Sequence, residues 1–272
     1  MNIPSLRLVF PLVLVLGATG CSTISGWFED DEEDPKAPVE LTEIEEQVRI
    51  DKLWSVSVGD GQGSGLYKIR PAMRGDTLYA AAADGSVRAI NRESGKVLWK
   101  EELDTPLSGG VGLYENALFL GSGEGAVLKL DAGNGELLWS RQLQGEVLAA
   151  PQSDGTVVVA QTYDGKGLDF TSGEILWTYD SDVPVLTVRG TGTPILRDGV
   201  VYAGFANGRV MALDAGSGDV VWEVRVAIAQ GRSEIDRIVD VDGSMELTGS
   251  ELYAASYQGR LVAIDVREGR KL

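Results

Sequence analysis

The chain has 272 residues, 43% of them apolar, and its 41 acidic against 24 basic side chains give a formal net charge of −17. Such an excess argues against nucleic acid as a partner and against adhesion to anionic lipid by charge. There is no histidine and only one cysteine, so zinc, haem and Ser-His-Asp chemistry lack their ligands or their base; no catalytic, cofactor-binding or metal-binding residue is assigned.

Arg7 precedes an apolar stretch from Leu8 to Leu16, followed by Gly17-Ala18-Thr19-Gly20 and then Cys21. The stretch is too short to span a bilayer and has the layout of a signal peptide. Small residues directly before a lone Cys resemble a bacterial lipobox, whose thiol is acylated and becomes the new N-terminus; Ala18 stands where Leu is usual, and Pro11 interrupts the apolar stretch. Residues 1–20 are thus expected to be a lipoprotein signal peptide, with lipid on Cys21. Acyl chains at ~0.8 kcal/mol per buried methylene group give a durable anchor. By resemblance to the general lipoprotein sorting rule, Asp at the position of Ser22 would favour inner-membrane retention whereas Ser permits transfer, so the expected location is the periplasmic face of the outer membrane. The acidic run Glu29 to Asp34 cannot bury itself, and residues 21–47 are expected to be an extended tether.

The remainder, residues 48–272, reads as a single β domain built from an internal repeat. Leu53-Trp54-Ser55 looks like an isolated outer strand D, of the kind that completes the last blade of a propeller and closes its ring. Complete units follow: DGSVRAINRESGKVLW, EGAVLKLDAGNGELLW and NGRVMALDAGSGDVVW, with Trp99, Trp139, Trp177 and Trp222 recurring about every 40 residues. A period of about 40 residues with period-two alternation and turn glycines predicts four-stranded antiparallel propeller blades. In the second unit the strands fall near Gly109 to Leu113, Ala117 to Ser122, Ala126 to Asp131 and Glu136 to Gln142. Gly125 and Gly135 supply the positive φ of the two tight turns. The repeated Trp residues are assigned to packing between blades. Asp84, Asp131 and Asp214 are assigned to Asx-type turns.

The third unit is two residues shorter between Gly165 and Gly173 than its neighbours. Because the deletion is even, it preserves the inner and outer faces, and a shortened strand C is expected there. The fifth unit ends at Leu272, one residue before the register calls for a Trp. About five blades are therefore expected in an incomplete ring, cut in the fifth blade, with about three more units in the whole protein.

Two segments break the repeat, Val183 to Gly190 and Gly231 to Asp242. Insertions in repeat folds gather on one face, often the binding face. Asp240-x-Asp242-Gly243 has the look of a calcium loop, but the later ligand positions do not appear, which leaves a polar contact surface. Leu186 and Val188 fit either that surface or a strand turned inward.

The repeats resemble those of pyrroloquinoline-quinone-enzyme-like propellers. VPVLTVRG, GRSEIDRIVDVD, WSVSVGDGQG and the lipobox together resemble the BamB family of outer-membrane assembly factors. That resemblance covers Cys21 to Leu272. It implies an all-β, eight-bladed propeller lipoprotein that is not an enzyme. It also implies binding to the periplasmic POTRA domains of BamA, contact with other assembly subunits, and help to unfolded outer-membrane proteins during insertion. The family's LTLRG-like and DVD motifs carry the partner contact, and they fall here on Leu186, Val188, Arg189, Asp240 and Asp242. Arg189 and the two Asp residues would fix orientation, with Leu186 and Val188 supplying apolar burial. Val188 replaces the usual Leu, and Gly243-Ser244-Met245 replaces a segment that generally ends in Pro. The competing classes are a quinone-dependent dehydrogenase, whose adjacent cysteines and calcium site have no counterpart here, and a polysaccharide-binding cell-wall lipoprotein.

Overall fold

Five antiparallel four-stranded sheets succeed one another along the chain, and within each the strands are hydrogen-bonded in chain order. The structure is a computed structural model and describes residues 41–272 apart from 46 and 66; the signal peptide, Cys21 and most of the acidic tether lie outside the described residues. All strands belong to the compact unit Lys52–Leu272.

The first blade comprises β1 (Ala72–Arg74), β2 (Thr77–Ala81), β3 (Ser86–Asn91) and β4 (Val97–Glu102). The second comprises β5 (Leu107–Tyr114), β6 (Ala117–Ser122), β7 (Ala126–Asp131) and β8 (Leu137–Gln142), within a few residues of the strands expected from sequence. The third is β9 (Gln152–Ser153), β10 (Val157–Gln161), β11 (Gly165–Asp169) and β12 (Ile175–Tyr179). The fourth is β13 (Ile195–Arg197), β14 (Val200–Gly204), β15 (Arg209–Asp214) and β16 (Val220–Arg225). The fifth is β17 (Glu246–Thr248), β18 (Glu251–Ser256), β19 (Arg260–Asp265) and β20 (Arg270–Lys271).

The third blade corrects one expectation. Gly165 is not a turn glycine: it pairs with Gln161 and Tyr179 at the start of β11, just as Val127 pairs with Gly121 and Arg141 in the second blade. The two missing residues come out of the turn between β10 and β11, so the third strand keeps its length from that point and its faces.

Alternation along each central strand divides the core between neighbours. Leu118 and Leu120 of β6 pack against the first blade, whereas Ala117 and Phe119 pack against the third. Val158 and Ala160 of β10 face the second blade, and Val157 and Val159 face the fourth. The apolar cores therefore lie between successive sheets, as stacked blades require.

The tryptophans make one contact repeatedly. The Trp99 indole N–H donates to the Ala132 carbonyl (3.0 Å), Trp139 to Phe170 (3.2 Å), Trp177 to Ala215 (2.8 Å) and Trp222 to Val266 (2.8 Å). Each acceptor lies three residues before a turn glycine of the next blade, Gly135, Gly173, Gly218 or Gly269, and the ring covers that glycine. At Gly135 a β-carbon would sit 2.8 Å from the Trp99 ring, and φ is +84°, so both the space and the backbone demand glycine. The turn is held by the residue four before the glycine: Asp131 Oδ1 accepts from the N–H groups of Gly133 (2.7 Å) and Asn134 (3.2 Å), and Asp214 does the same for Gly216 (3.0 Å) and Ser217 (2.9 Å). The Asx-turn assignment is thereby borne out, Asp84 included, whose Oδ1 accepts from Ser86 N–H at 3.0 Å.

Trp54 does the same toward the first blade, donating to Arg92 O at 2.8 Å and covering Gly95. Leu53-Trp54-Ser55 has no ladder partner among the described residues, yet its indole occupies the position of an outer-strand Trp.

Trp177, which is 7% exposed, is the most informative residue to change. Trp177→Phe leaves the Ala215 carbonyl without its donor and is expected to cost about 1–3 kcal/mol. Trp177→Ala also empties the gap between blades and is expected to cost about 3–5 kcal/mol. Urea unfolding midpoints of the two variants check the order.

Candidate functional site

In an antiparallel blade whose strands run A to D, the B–C turn and the connection to the next blade emerge at the same end. Both irregular segments are such connections. Residues 180–194 join β12 to β13, and residues 226–245 join β16 to β17; neither contains a strand, and the second carries a 3-10 turn at Ile235–Arg237. Leu186 and Val188 are therefore loop residues and not part of a strand turned inward.

Asp240 binds the two connections together. The Val188 N–H donates to Asp240 Oδ2 at 2.8 Å, while the Asp240 carbonyl accepts from Tyr257 N–H at 2.7 Å in the B–C turn of the fifth blade. In the same turn, Gln258 donates its amide to the carbonyls of Asp236 and Ile238, both at 3.0 Å, and pins the 3-10 segment. Val241 N–H donates to Phe205 O at 3.1 Å, tying the long connection to the fourth blade as well.

Asp240 is only 1% exposed, so it does not present its charge to solvent. Burial pushes its carboxyl up to about 6 against the pull of the Val188 N–H, and the Asp242 charge adds a smaller push in the same direction. Oδ1 is buried without a hydrogen-bond partner among the described residues.

Arg189 points elsewhere. Its Nε donates to Glu146 Oε2 at 3.0 Å and its Nη2 to Glu146 Oε1 at 2.5 Å. Nη2 also lies 3.4 Å from the Tyr67 hydroxyl, and the guanidinium carbon is 5.3 Å from the centre of the Tyr67 ring. The hydrogen bonds from Arg189 hold the Glu146 carboxyl below its ordinary range. Reciprocally, Glu146 and Tyr67 hold the guanidinium pKa up. Tyr67 enters the first blade, Glu146 joins the second to the third and Arg189 joins the third to the fourth, so this cluster spans three connections.

Leu186 is 40% exposed, and Val183 and Val185 beside it are 50% and 91% exposed. Between the connections lies a cavity of about 310 Å³. Val188, Arg189, Asp240 and Asp242 line it and Leu186 does not, so the structure brings together four of the five residues assigned from sequence and leaves Leu186 on the surface nearby. Glu146, Tyr67 and the cavity wall at Phe205 were not legible beforehand. Glu146 sits in an ordinary-looking connection, and only the rule that all such connections share one end of a propeller would have singled it out.

The arrangement offers a fixed guanidinium, exposed aliphatic side chains and a cavity. Among the described residues no group of three or more His, Cys, Asp or Glu side chains is placed to hold a metal ion.

A family profile described as outer membrane protein assembly factor BamB matches residues 49–103 and 83–272. A curated BamB of Pseudomonas aeruginosa is 49% identical over 263 residues, which is 96% of this chain and 67% of the relative. The chain belongs to the BamB family. The crystal structure of BamB from Moraxella catarrhalis superposes with a TM-score of 0.70 at 34% identity, over 75% of this chain and 62% of that one. This BamB-family chain thus spans about two thirds of the length of the P. aeruginosa relative, and somewhat less of the Moraxella chain. Quinohemoprotein alcohol dehydrogenase from Comamonas testosteroni superposes with a TM-score of 0.63 over 78% of this chain and 42% of that one, but at 15% identity it shares the fold alone. The BamB-like repeat expected from sequence is borne out, and the family is one of outer membrane assembly factors.

The Asp240 carboxyl makes a signed prediction. Its folded pKa of about 6 lies above the ordinary value of 3.8, so the folded state holds this proton more tightly than the unfolded chain does. The stability it contributes is complete below about pH 4 and is lost as pH rises through about 6. Asp240→Asn removes that loss and keeps an acceptor for Val188. The variant should therefore gain on the wild type as pH rises from 4 to 7, in melting temperatures measured at matched ionic strength.

Proposed function

We propose that this chain is a non-catalytic scaffold lipoprotein of the outer-membrane β-barrel assembly machinery. It docks on the periplasmic POTRA domains of BamA, joins the other assembly subunits and assists the folding and insertion of outer-membrane proteins. In this reading a signal peptide (1–20) and a lipidated acidic tether (21–47) precede the propeller (48–272), which sits at the periplasmic face of the outer membrane, held by lipid on Cys21.

The observation that carries this reading is the meeting of the two repeat-breaking connections on one end of the fold, locked by the Val188 to Asp240 hydrogen bond. A catalytic centre would need reactive groups open to a substrate; here the perturbed Asp240 carboxyl is buried and the Arg189 guanidinium is paired with Glu146. In this reading Leu186 supplies apolar contact area and Arg189 fixes orientation. Asp240 acts from beneath, holding the connection in its docking shape through the Val188 N–H, while Val188 and Asp242 line the cavity and are open to the partner.

Binding of purified BamA POTRA domains to the full-length protein is the test. Leu186→Asp is expected to weaken binding about tenfold, roughly 1.4 kcal/mol, and Arg189→Glu about a hundredfold, roughly 2.7 kcal/mol, with melting temperatures unchanged. Wild-type affinity in both folded variants would refute the docking assignment. Independently, Cys21→Ser should move the protein from the membrane pellet to the soluble periplasmic fraction.

A further inference from the structure

We propose that the cavity beside Arg189 is the anchor pocket of the docking face: it takes one large apolar side chain of the partner polypeptide, while Arg189 takes a carboxylate on the same segment. This inference rests on the docking reading above and adds the chemistry that the partner must present.

Two of the polar side chains bordering the cavity, Asp240 and Gln161, are already engaged or sealed. Asp240 Oδ2 accepts from Val188 N–H, and Asp240 Oδ1 is buried away from the cavity surface. The Gln161 amide nitrogen is used by the Gly204 carbonyl at 2.5 Å, and its oxygen is buried in the same way. The apolar part of the lining is supplied by Leu148, Val183, Val188, Phe205 and Val241, with the Tyr163, Thr187 and Asp242 side chains at its border. A volume of about 310 Å³ stands at the small end of ligand pockets, enough for one bulky side chain. The exposed Val183 and Val185 stand beside it, where aliphatic neighbours exclude water from a central anchor.

The charge is equally specific. Glu146 engages Nε and Nη2 of Arg189, and Tyr67 lies under the guanidinium. Nη1 makes no hydrogen bond to the described residues and the side chain is 52% exposed, so one donor edge is held in a fixed direction and left to an acceptor from outside. On a chain of net charge −17, a partner carboxylate is repelled over most of the surface and accepted here, which sets the register of the docked segment. Glu146 and Tyr67 are in that sense positioning residues for Arg189.

The test measures POTRA-domain affinity of the full-length lipoprotein in detergent. Ala206 lines the cavity from a partly exposed turn, and Ala206→Phe should fill it and weaken binding at least tenfold, with the melting temperature unchanged. Thr187→Phe fills it from the connection between the third and fourth blades and replaces the first variant should that one fold poorly. Ser217→Phe, in a C–D turn at the other end of the blade, should bind like the wild type. For the positioning role, Arg189→Ala should cost about tenfold in the wild type but less than about threefold once Glu146→Ala is present, a non-additivity that lost stability alone does not produce. Wild-type affinity in both filled variants, with Arg189→Glu still defective, overturns the anchor pocket and leaves the docking face standing. Equal cost of Arg189→Ala in both backgrounds overturns the positioning role. Failure of the wild type to bind POTRA domains at all removes the docking reading, and this inference with it.

Discussion

An indole N–H reaching one blade forward holds this structure together. The Trp of each outer strand donates to a carbonyl three residues before a turn glycine in the next blade, and its ring lies where that glycine lacks a side chain. A sheet with two apolar faces does not persist alone, and generic hydrophobic contact between two sheets leaves their sliding and rotation loosely defined. A directional hydrogen bond plus a flat ring on a glycine fixes both. The aspartates of the C–D turns serve the same contact, because they shape the turn that presents the carbonyl.

Fixed blade placement is what gathers connections far apart in sequence at one end of the fold. Tyr67 and Arg189 are 122 residues apart and still meet, because each leaves its blade at the same end and the blades are held in register. The face is secured at some expense: a buried carboxylate, Asp240, with one oxygen unpartnered disfavours folding at neutral pH, where its charged form is poorly solvated. That arrangement makes sense where loop shape matters more than stability, since the same carboxylate ties two connections that would otherwise move independently.

Much of this was legible in the residues. Trp spacing, turn glycines and turn aspartates announced blades, and period-two alternation placed most strands of the second blade within a residue or two, because each feature answers a local backbone or packing demand. Gly165 departs from this for the same reason: its spacing predicts a turn glycine, whereas the register of β10 and β11 puts the deletion in the turn itself. The two irregular connections stood out as breaks in period. Which of their side chains face outward did not, since Asp240 and Arg189 look alike as loop charges and only the packed neighbours send one inward and the other to Glu146. Glu146 and Tyr67 carried no signal, being ordinary residues made important by a contact across blades.

The forward direction of the Trp contacts also bears on how the fold is assembled. Their sequence separations run from 31 to 44 residues, so each blade is completed by the segment that follows it. For a chain delivered N-terminus first through a narrow pore, every new blade that arrives caps its predecessor, and unfinished apolar surface is confined to the newest sheet. Order can thus spread in step with delivery, as in a row of nearest-neighbour units. A defect in one turn glycine then weakens chiefly a single seam and leaves distant blades intact.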